Sequence, residues 1–498
     1  MSRERELKLV VPMTFALPAW LDLPEGAVVR PATDRWLEAR YFDTPDLRLA
    51  RWGASLRHRG DEGWTVKLDA GREGDVLVRT EVHFPGEDPS APPEPARELV
   101  RAFARTMPLV EVVEVGTLRR PAWLEGPRGE AWAEIVFDDV SVRAEGVATG
   151  RFREVEVEMT DVCPAAVAAE VEARLRAAGA GTSEALAKHL RALGYTEAPP
   201  REVVVPALGP SPTAGDVVHR AIASAVVRLI EHDPVVRLDH DPEGVHQARV
   251  ATRRLRSDLR TFGSLIDQAF IEEVDDDLRW LAGALGGARD TDVLMGRIRE
   301  RADRLPETER AGASAVVEAL GQADKEAHAA LLDAVRDDRY VALLESLVTA
   351  ALASPTGGEL AGRAAAAVLP GLVSAPSASL RTAVEHAVRA PTDERLHAVR
   401  IKAKRVRYAA EAVAAVLGSP AADLAAAAEE LQTVLGLHHD AVVAEAWLRA
   451  WVGGGTSVDA AFAAGAIAGA AGAEADRARR KWRAAWQRVA TAMSGGPW

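Results

Sequence analysis

The chain has 498 residues, 48% of them hydrophobic and 27% charged, with a formal net charge of −13. That length exceeds one ordinary core, so two or three domains are expected, and the composition excludes a disordered chain. The acidic balance argues against non-specific nucleic-acid binding. The single cysteine, Cys163, excludes an internal disulfide or a cysteine-based zinc site.

The opening residues, MSREREL, are charged from the third position and hold no apolar signal-peptide core, which points to the cytoplasm. Residues 1 to about 160 then read as short strands broken by Gly, Pro and Asp: LKLVVP, ASLRHR, WTVKLD, VLVRTEVHF, AWAEIVFDDVSVRA and FREVEVEM. Helical segments are expected at about 97–106 and 164–192.

In a strand, alternate residues share a face. Glu4, Glu6 and Lys8 therefore share one, as do Arg57 and Arg59, Thr65 and Lys67, Arg79 and Glu81, and Glu154, Glu156 and Glu158. A solvated face explains any single strand of this kind. Five such strands are explained together by a sheet closed on itself around a wet, charged lumen, with the apolar alternates facing outward. Carboxylates from the first and last strands, brought together, make a hard oxygen site for Mg²⁺ or Mn²⁺. The Arg and Lys rows match a polyanion carrying several phosphates.

The E-x-E-x-K run at Glu4, Glu6 and Lys8, with YFDTPDLRLARWGASLRHR, WTVKLD, AEIVFDD and FREVEVEM, resembles the CYTH or triphosphate tunnel metalloenzyme superfamily over roughly residues 1–200. The resemblance implies an eight-stranded antiparallel barrel and metal-dependent chemistry on inorganic triphosphate, nucleotides or thiamine triphosphate. Carried onto this chain, it makes Glu4, Glu6, Glu156 and Glu158 metal ligands or water-orienting groups, with Glu4, Glu6 and Lys8 at the centre of catalysis. Lys8, Arg57, Arg59, Lys67, Arg79 and Arg120 become phosphate clamps, and Glu134 and Asp138 further acids. One departure stands out. The family places a basic residue just after a Ser or Thr in its C-terminal helix, whereas in TSEALAKHL Lys188 lies five residues beyond Ser183.

The segment APPREVVVPALGPSPTAG, with five prolines, reads as an interdomain linker. The expected division is 1–197 for the barrel, 198–213 for the linker and 214–498 for a helical domain. That second half carries 3.6-residue periodicity, with breaks expected at Pro234, Pro306, Pro355, Pro370, Pro391 and Pro420. The Ala- and Gly-rich stretch 460–473 is too short to span a bilayer and is expected to pack within a bundle, so no membrane partner is expected.

The helical half repeats internally. VHQARVATRRLR from Val245 aligns with LHAVRIKAKRVR from Leu396, so His246, Arg249, Arg253, Arg254 and Arg256 fall on His397, Arg400, Lys404, Arg405 and Arg407. LGGARDTDV from Leu285 aligns in turn with LGLHHDAVV from Leu435. On a helix, His246, Arg249, Arg253 and Arg256 lie within about 80° of one another, and their counterparts do the same. Like charges so spaced repel, and a bound anion would relieve them. The histidines can alternatively be buried hydrogen-bonding residues. Asp290, Asp292 and Asp440 are expected as partners of arginines rather than metal ligands. His438 and His439, adjacent on a helix, are expected to point apart. Arg477, Arg480, Lys481 and Arg483, interleaved with Trp482 and Trp486, either extend the basic surface or belong to a Trp-anchored terminal helix.

These motifs resemble the CHAD domain over about residues 214–498. The resemblance implies two pseudo-symmetric four-helix bundles with a basic surface that binds inorganic polyphosphate, and association with polyphosphate granules. The resulting expectation is a metal-dependent inorganic triphosphatase that also grips polyphosphate, with no specific nucleic-acid partner. The alternatives are a non-catalytic polyphosphate-binding protein, or an enzyme acting on a nucleotide or thiamine triphosphate.

Overall fold

Polar–apolar alternation in the first 160 residues sets up nine strands among the described residues, and every pairing between them there is antiparallel. In the computed structural model these are β1 (Ser2–Val11), β2 (Val28–Pro31), β3 (Arg35–Asp43), β4 (Ser55–Arg59), β5 (Gly63–Glu73), β6 (Val76–Phe84), β7 (Val110–Glu125), β8 (Ala131–Ala144) and β9 (Val147–Met159). The structure describes residues 2–74, 76–144, 147–181, 186–453 and 456–498. They fall into two compact units, Met1–Glu202 and Val203–Trp498.

In the first unit β7, β3, β4, β5, β6, β1, β9 and β8 pair in that order, and β8 returns to β7, closing an eight-stranded barrel. The remaining strand, β2, pairs with the far part of β7 outside the ring. Short helices α1 (Arg48–Arg51), α2 (Glu94–Leu99) and α3 (Arg101–Ala104) fill its connections, and α4 (Ala165–Ala177) and α5 (Lys188–Ala192) follow β9. The outward alternates Leu7, Leu9, Ile135, Phe137, Val155 and Val157 pack on Val167, Val171 and Leu175 of α4. Burying those side chains contributes about 1.5–3 kcal/mol each and leaves the charged alternates facing inward. Ala39, Val115, Val140 and Val142 form a second apolar cluster, against which Ala192 and Leu193 pack.

The start of the Pro-rich segment is packed rather than free. Glu202 is buried, accepts a hydrogen bond from the Trp52 indole and is ion-paired with Arg105.

The second unit holds nine α-helices among the described residues: α6 (Ala214–Leu238), α7 (Pro242–Thr261), α8 (Gln268–Asp303), α9 (Glu307–Arg336), α10 (Asp338–Ala353), α11 (Ala365–Arg389), α12 (Asp393–Leu417), α13 (Ser419–Trp451) and α14 (Val458–Ser494). Two sets of four, α6–α9 and α11–α14, correspond to the sequence repeat, with α10 between them. Caps set where the basic helices begin. Asp241 accepts from the Glu243 N–H and precedes Pro242 in α7, and Thr392 caps α12. Pro306 and Pro420 mark helix starts, but Pro234 and Pro370 lie inside α6 and α11. Pro234 is itself buried, so core packing there outweighs the lost backbone bond. Ala460, Ala463, Ala464, Ile467 and Ala471 of α14 are buried, and among the described residues no helix is long and apolar enough to cross a membrane.

Candidate active site and phosphate-binding cavity

The strand register carries the charged rows into one place. Glu4 pairs with Arg79, Glu6 with Glu158, Lys8 with Glu156, and Lys67 with Glu81. These eight residues, with Arg57, Arg59, Arg119, Glu134, Lys188 and others, line a barrel cavity of about 400 Å³.

The acids inside the barrel divide into two groups, and Asp138 of β8 and Glu154 of β9 lie buried behind the cavity lining. Further along β1, Lys8 Nζ lies 2.7 Å from Glu156 and 3.1 Å from Glu154. Lys188 Nζ lies 2.6 Å from Asp138 and 3.0 Å from Glu154, while Arg119 contacts Asp138 at 2.7 Å and Glu156 at 3.1 Å. Arg191 reaches Glu154 at 3.0 Å. Burial pulls the Lys8 ammonium down, but Glu154, Glu156 and Glu6 push it above its ordinary value. Oxygens of Asp138, Glu154 and Glu156 come within 4.8 Å of one another, close enough to hold a metal ion. Four cations already hold those three carboxylates, so an ion there would have to displace them.

Nearer the start of β1 the balance is reversed. Glu4 accepts two bonds from Lys67 Nζ, at 2.9 and 3.1 Å. Its neighbour Glu6 is buried, its Oε1 has no hydrogen-bond partner, and its nearest cation is Lys8 at 4.0 Å. Burial, then the charge of Glu156, raises its pKa. Glu158 has no ion pair among the described residues, and burial followed by Glu4 and Glu156 pushes it up to about 8. Crowded, buried, under-compensated carboxylates are a hard-oxygen donor set that a divalent cation would stabilise. Glu4, Glu6 and Glu158 fit a metal ion better than the fully paired triad, and Glu156 stands between the two groups.

On the basic side, Arg57 and Arg59 are held by Glu62, at 3.3 and 3.1 Å. Arg79 has no ion-pair partner among the described residues. Arg120 does not join them. Its guanidinium lies 3.6 Å from Asp34 and over the Phe137 ring, on the face opposite the cavity. Arg119 takes the inward position, because neighbours on a strand face opposite ways. Residue type alone does not choose between two adjacent arginines; the pairing of β7 with β3 and β8 does. Lys188 supplies the basic group at α5, preceded by Ala187, while Ser183 lies outside the described residues. Glu81, read in the sequence on one face with Arg79, lines the cavity, and so do Arg35 and His189, which were not singled out and sit in unremarkable local contexts.

In the helical unit, α6, α7, α8, α12 and α13 surround a cavity of about 1110 Å³, lined by ten Lys or Arg side chains against four carboxylates. His246, Arg249, Arg253 and Arg254 enter it from α7, and His397, Arg400, Lys404 and Arg407 from α12. Burial, then Arg253 and Arg249 against partial relief from Asp440, lowers the pKa of Arg400, whose Nε has no partner. Such a guanidinium sits in uncompensated positive potential. The His397 and His439 rings are 4.2 Å apart, whereas His438 is buried against Asp393 at 3.2 Å, so the adjacent histidines do point apart.

Two of the residues expected to bind polyphosphate fall elsewhere. Arg256 does not line the cavity and lies near Asp275, Arg279 and Arg260, and Arg405 is exposed. Each lies just past one edge of the arc that its helix turns to the cavity, which on α7 runs through Ala251 and Arg254 instead of Arg256. Arg254 does line it, but is tied to Asp258 at 3.2 Å and to Glu411. Arg249 contacts Asp290 at 2.8 Å, Arg297 contacts Asp440 at 3.1 Å, and Asp292 lies 3.7 Å from Arg289 and 3.1 Å from His328. Arg477 and Lys481 line a separate groove with Arg297, Arg301 and Arg304, and Trp482 is buried.

The CYTH domain model matches residues 2–197 and the CHAD domain model residues 220–449. The Mycobacterium tuberculosis proteins MT2285 and Rv2226 are each 31% identical over 516 residues, spanning 98% of this chain and 97% of theirs. Among solved structures, the CHAD domain of the plant Ricinus communis is similar at 26% identity and a TM-score of 0.47, over 57% of this chain and 94% of that one. HpAC1 from Hippeastrum, described as a putative adenylyl cyclase with a dominant triphosphatase activity, is similar at 14% identity and a TM-score of 0.23, over 38% of this chain and 95% of that one.

Proposed function

The chain belongs to the family in which a CYTH domain is followed by a CHAD domain, and from that premise we propose that it hydrolyses inorganic triphosphate in the barrel and binds inorganic polyphosphate in the helical cavity. The observation that carries the first half is the under-compensated pair Glu6 and Glu158, set in one enclosed cavity with Arg79, Arg57, Arg59 and Lys67. Glu4, Glu6 and Glu158, with Glu156 beside them, would hold Mg²⁺ or Mn²⁺, which would neutralise phosphate charge and polarise the terminal phosphorus. Arg57, Arg59, Arg79 and Lys67 bind the phosphate oxygens and fix the chain along the barrel. Lys8 and Arg119, locked by Asp138, Glu154 and Glu156, keep those acids charged and in place. A carboxylate at Glu6 or Glu158 would orient the attacking water in line with the bond from the terminal phosphorus to the departing diphosphate.

The helical cavity supports the second half. Its excess of cations suits a flexible chain of phosphates better than a single small anion. The barrel is assigned to 1–197, the linker to 198–213 and the polyphosphate-binding domain to 214–498, in a cytoplasmic protein associated with polyphosphate granules.

One observation favours a second substrate. Trp123 lines the barrel cavity while 40% exposed, offering an aromatic face to the base of a nucleoside triphosphate. Phosphate release from triphosphate, ATP and long-chain polyphosphate, with and without Mg²⁺ or Mn²⁺, tests the assignment. Metal-dependent release from triphosphate supports it, faster release from ATP replaces the substrate, and no release from any of them leaves a binding protein.

A further inference from the structure

Beside Lys188 on α5, His189 lines the barrel cavity. It is 3% exposed, its Nδ1 is sealed from solvent, and neither ring nitrogen has a hydrogen-bond partner among the described residues. The ring stacks on Tyr41, with centroids 5.0 Å apart and planes inclined by 24°. An aromatic face, not a hydrogen bond, therefore sets its orientation.

Anchoring α5 does not require this side chain. Leu186 and Leu190 already pack on Leu47 and Ala50. Nor can Lys188 make the same contact with a ligand, since its ammonium is held by Asp138 and Glu154. Burial, then the cations Arg79 and Lys8, holds the imidazole down to about 3, so it is neutral at physiological pH and carries one N–H and one lone pair. A buried polar group left without a partner is costly unless a ligand satisfies it.

We propose that His189 donates a hydrogen bond from its imidazole N–H to a phosphate oxygen of the bound chain, acting as a specificity-determining contact of the barrel. The inference rests on the assignment of triphosphate to this cavity. Phosphate oxygens only accept, so a neutral donor among the cations adds direction without adding charge. An ammonium at the same place would attract any anion, whereas a fixed N–H selects for an oxygen at one point along the chain.

Calorimetric titration of inorganic triphosphate into the full chain reads this contact. The background carries R253E and K404E, so that the heat reports the barrel rather than the helical cavity. H189F keeps the ring and its stacking on Tyr41 but removes the donor, and is expected to raise Kd about tenfold or more. H189N or H189Q, which return an amide N–H near one ring nitrogen or the other, is expected to recover most of that loss. An unchanged Kd in H189F overturns the proposal, and so does a loss that neither amide recovers, because that assigns a packing role. Phosphate release measured in parallel separates the two readings. Binding without turnover by the wild-type chain sinks hydrolysis and leaves the contact standing. Turnover with H189F binding as tightly as wild type sinks only the contact, and absence of triphosphate binding by the wild-type chain sinks both.

Discussion

Glu6 of β1 and Glu158 of β9 are partners across the ladder, two carboxylates facing one cavity without a hydrogen-bonded cation between them. Along the same two strands, Lys8 meets Glu156 at 2.7 Å. The barrel thus neutralises one end of its acidic row internally and leaves the other end short of positive charge.

Replacing one of those carboxylates should separate activity from stability. E6Q is expected to lower metal-dependent phosphate release about 100-fold or more. Its melting temperature in chelator should match or exceed that of the wild type, because a repelling buried charge has gone. Mn²⁺ should raise the melting temperature of the wild type but raise that of E6Q and E158Q much less. Equal metal-induced shifts in all three proteins would remove these carboxylates from the metal site.

The adjacent arginines of β7 should behave differently. R119A strips one of the cations that hold Asp138 and Glu156 and is expected to cost about 3 kcal/mol of barrel stability, together with activity. R120A loses a half-exposed pair with Asp34 and is expected to cost about 1 kcal/mol or less with activity retained. Denaturant melts and phosphate release on both variants check this, and equal effects would contradict the register described for β7.

Polyphosphate affinity should follow the cavity rather than the helix stripe. R400E with K404E is expected to weaken binding of long-chain polyphosphate about tenfold or more and to flatten its salt dependence. R256E, although it lies in the repeated motif, should bind nearly as the wild type does, since Arg256 does not line the cavity. Filter binding at several salt concentrations distinguishes them. A loss in R256E as large as in the double variant would return the binding surface to the outer stripe.

Stability of the helical domain should fall as pH rises above neutrality through one contact. His328 Nδ1 is paired with Asp239, and its Nε2 lies 3.1 Å from Asp292, tying the end of α6 to α8. Burial opposes its charge, but Asp239 and then Asp292 raise its pKa above the ordinary value. A histidine raised in the folded state contributes stability that is fully present below its unfolded pKa of about 6.5 and is lost as pH passes the folded value. Melting temperatures between about pH 6 and pH 9 should therefore decline more steeply in the wild type than in H328Q. Parallel curves would show that the pair contributes nothing measurable.

Period and spacing determined much of this protein without tertiary contacts. Alternation along FREVEVEM put Glu154, Glu156 and Glu158 on one face, and the repeat from His246 to His397 announced two related helical sets. Those signals are local: a strand turns its side chains every residue, a helix every 100° or so, and composition records both. Only the folded chain decided which charges remain uncompensated. Closure of β8 onto β7 chose Arg119 over Arg120, and α5 carried Lys188 and His189 into the barrel from a segment with no strand pattern. In the helical unit, packing chose Arg254 and excluded Arg256. Electrostatic balance depends on distances between residues far apart in the chain, such as the pair Lys8 and Glu156. No sequence period encodes those distances.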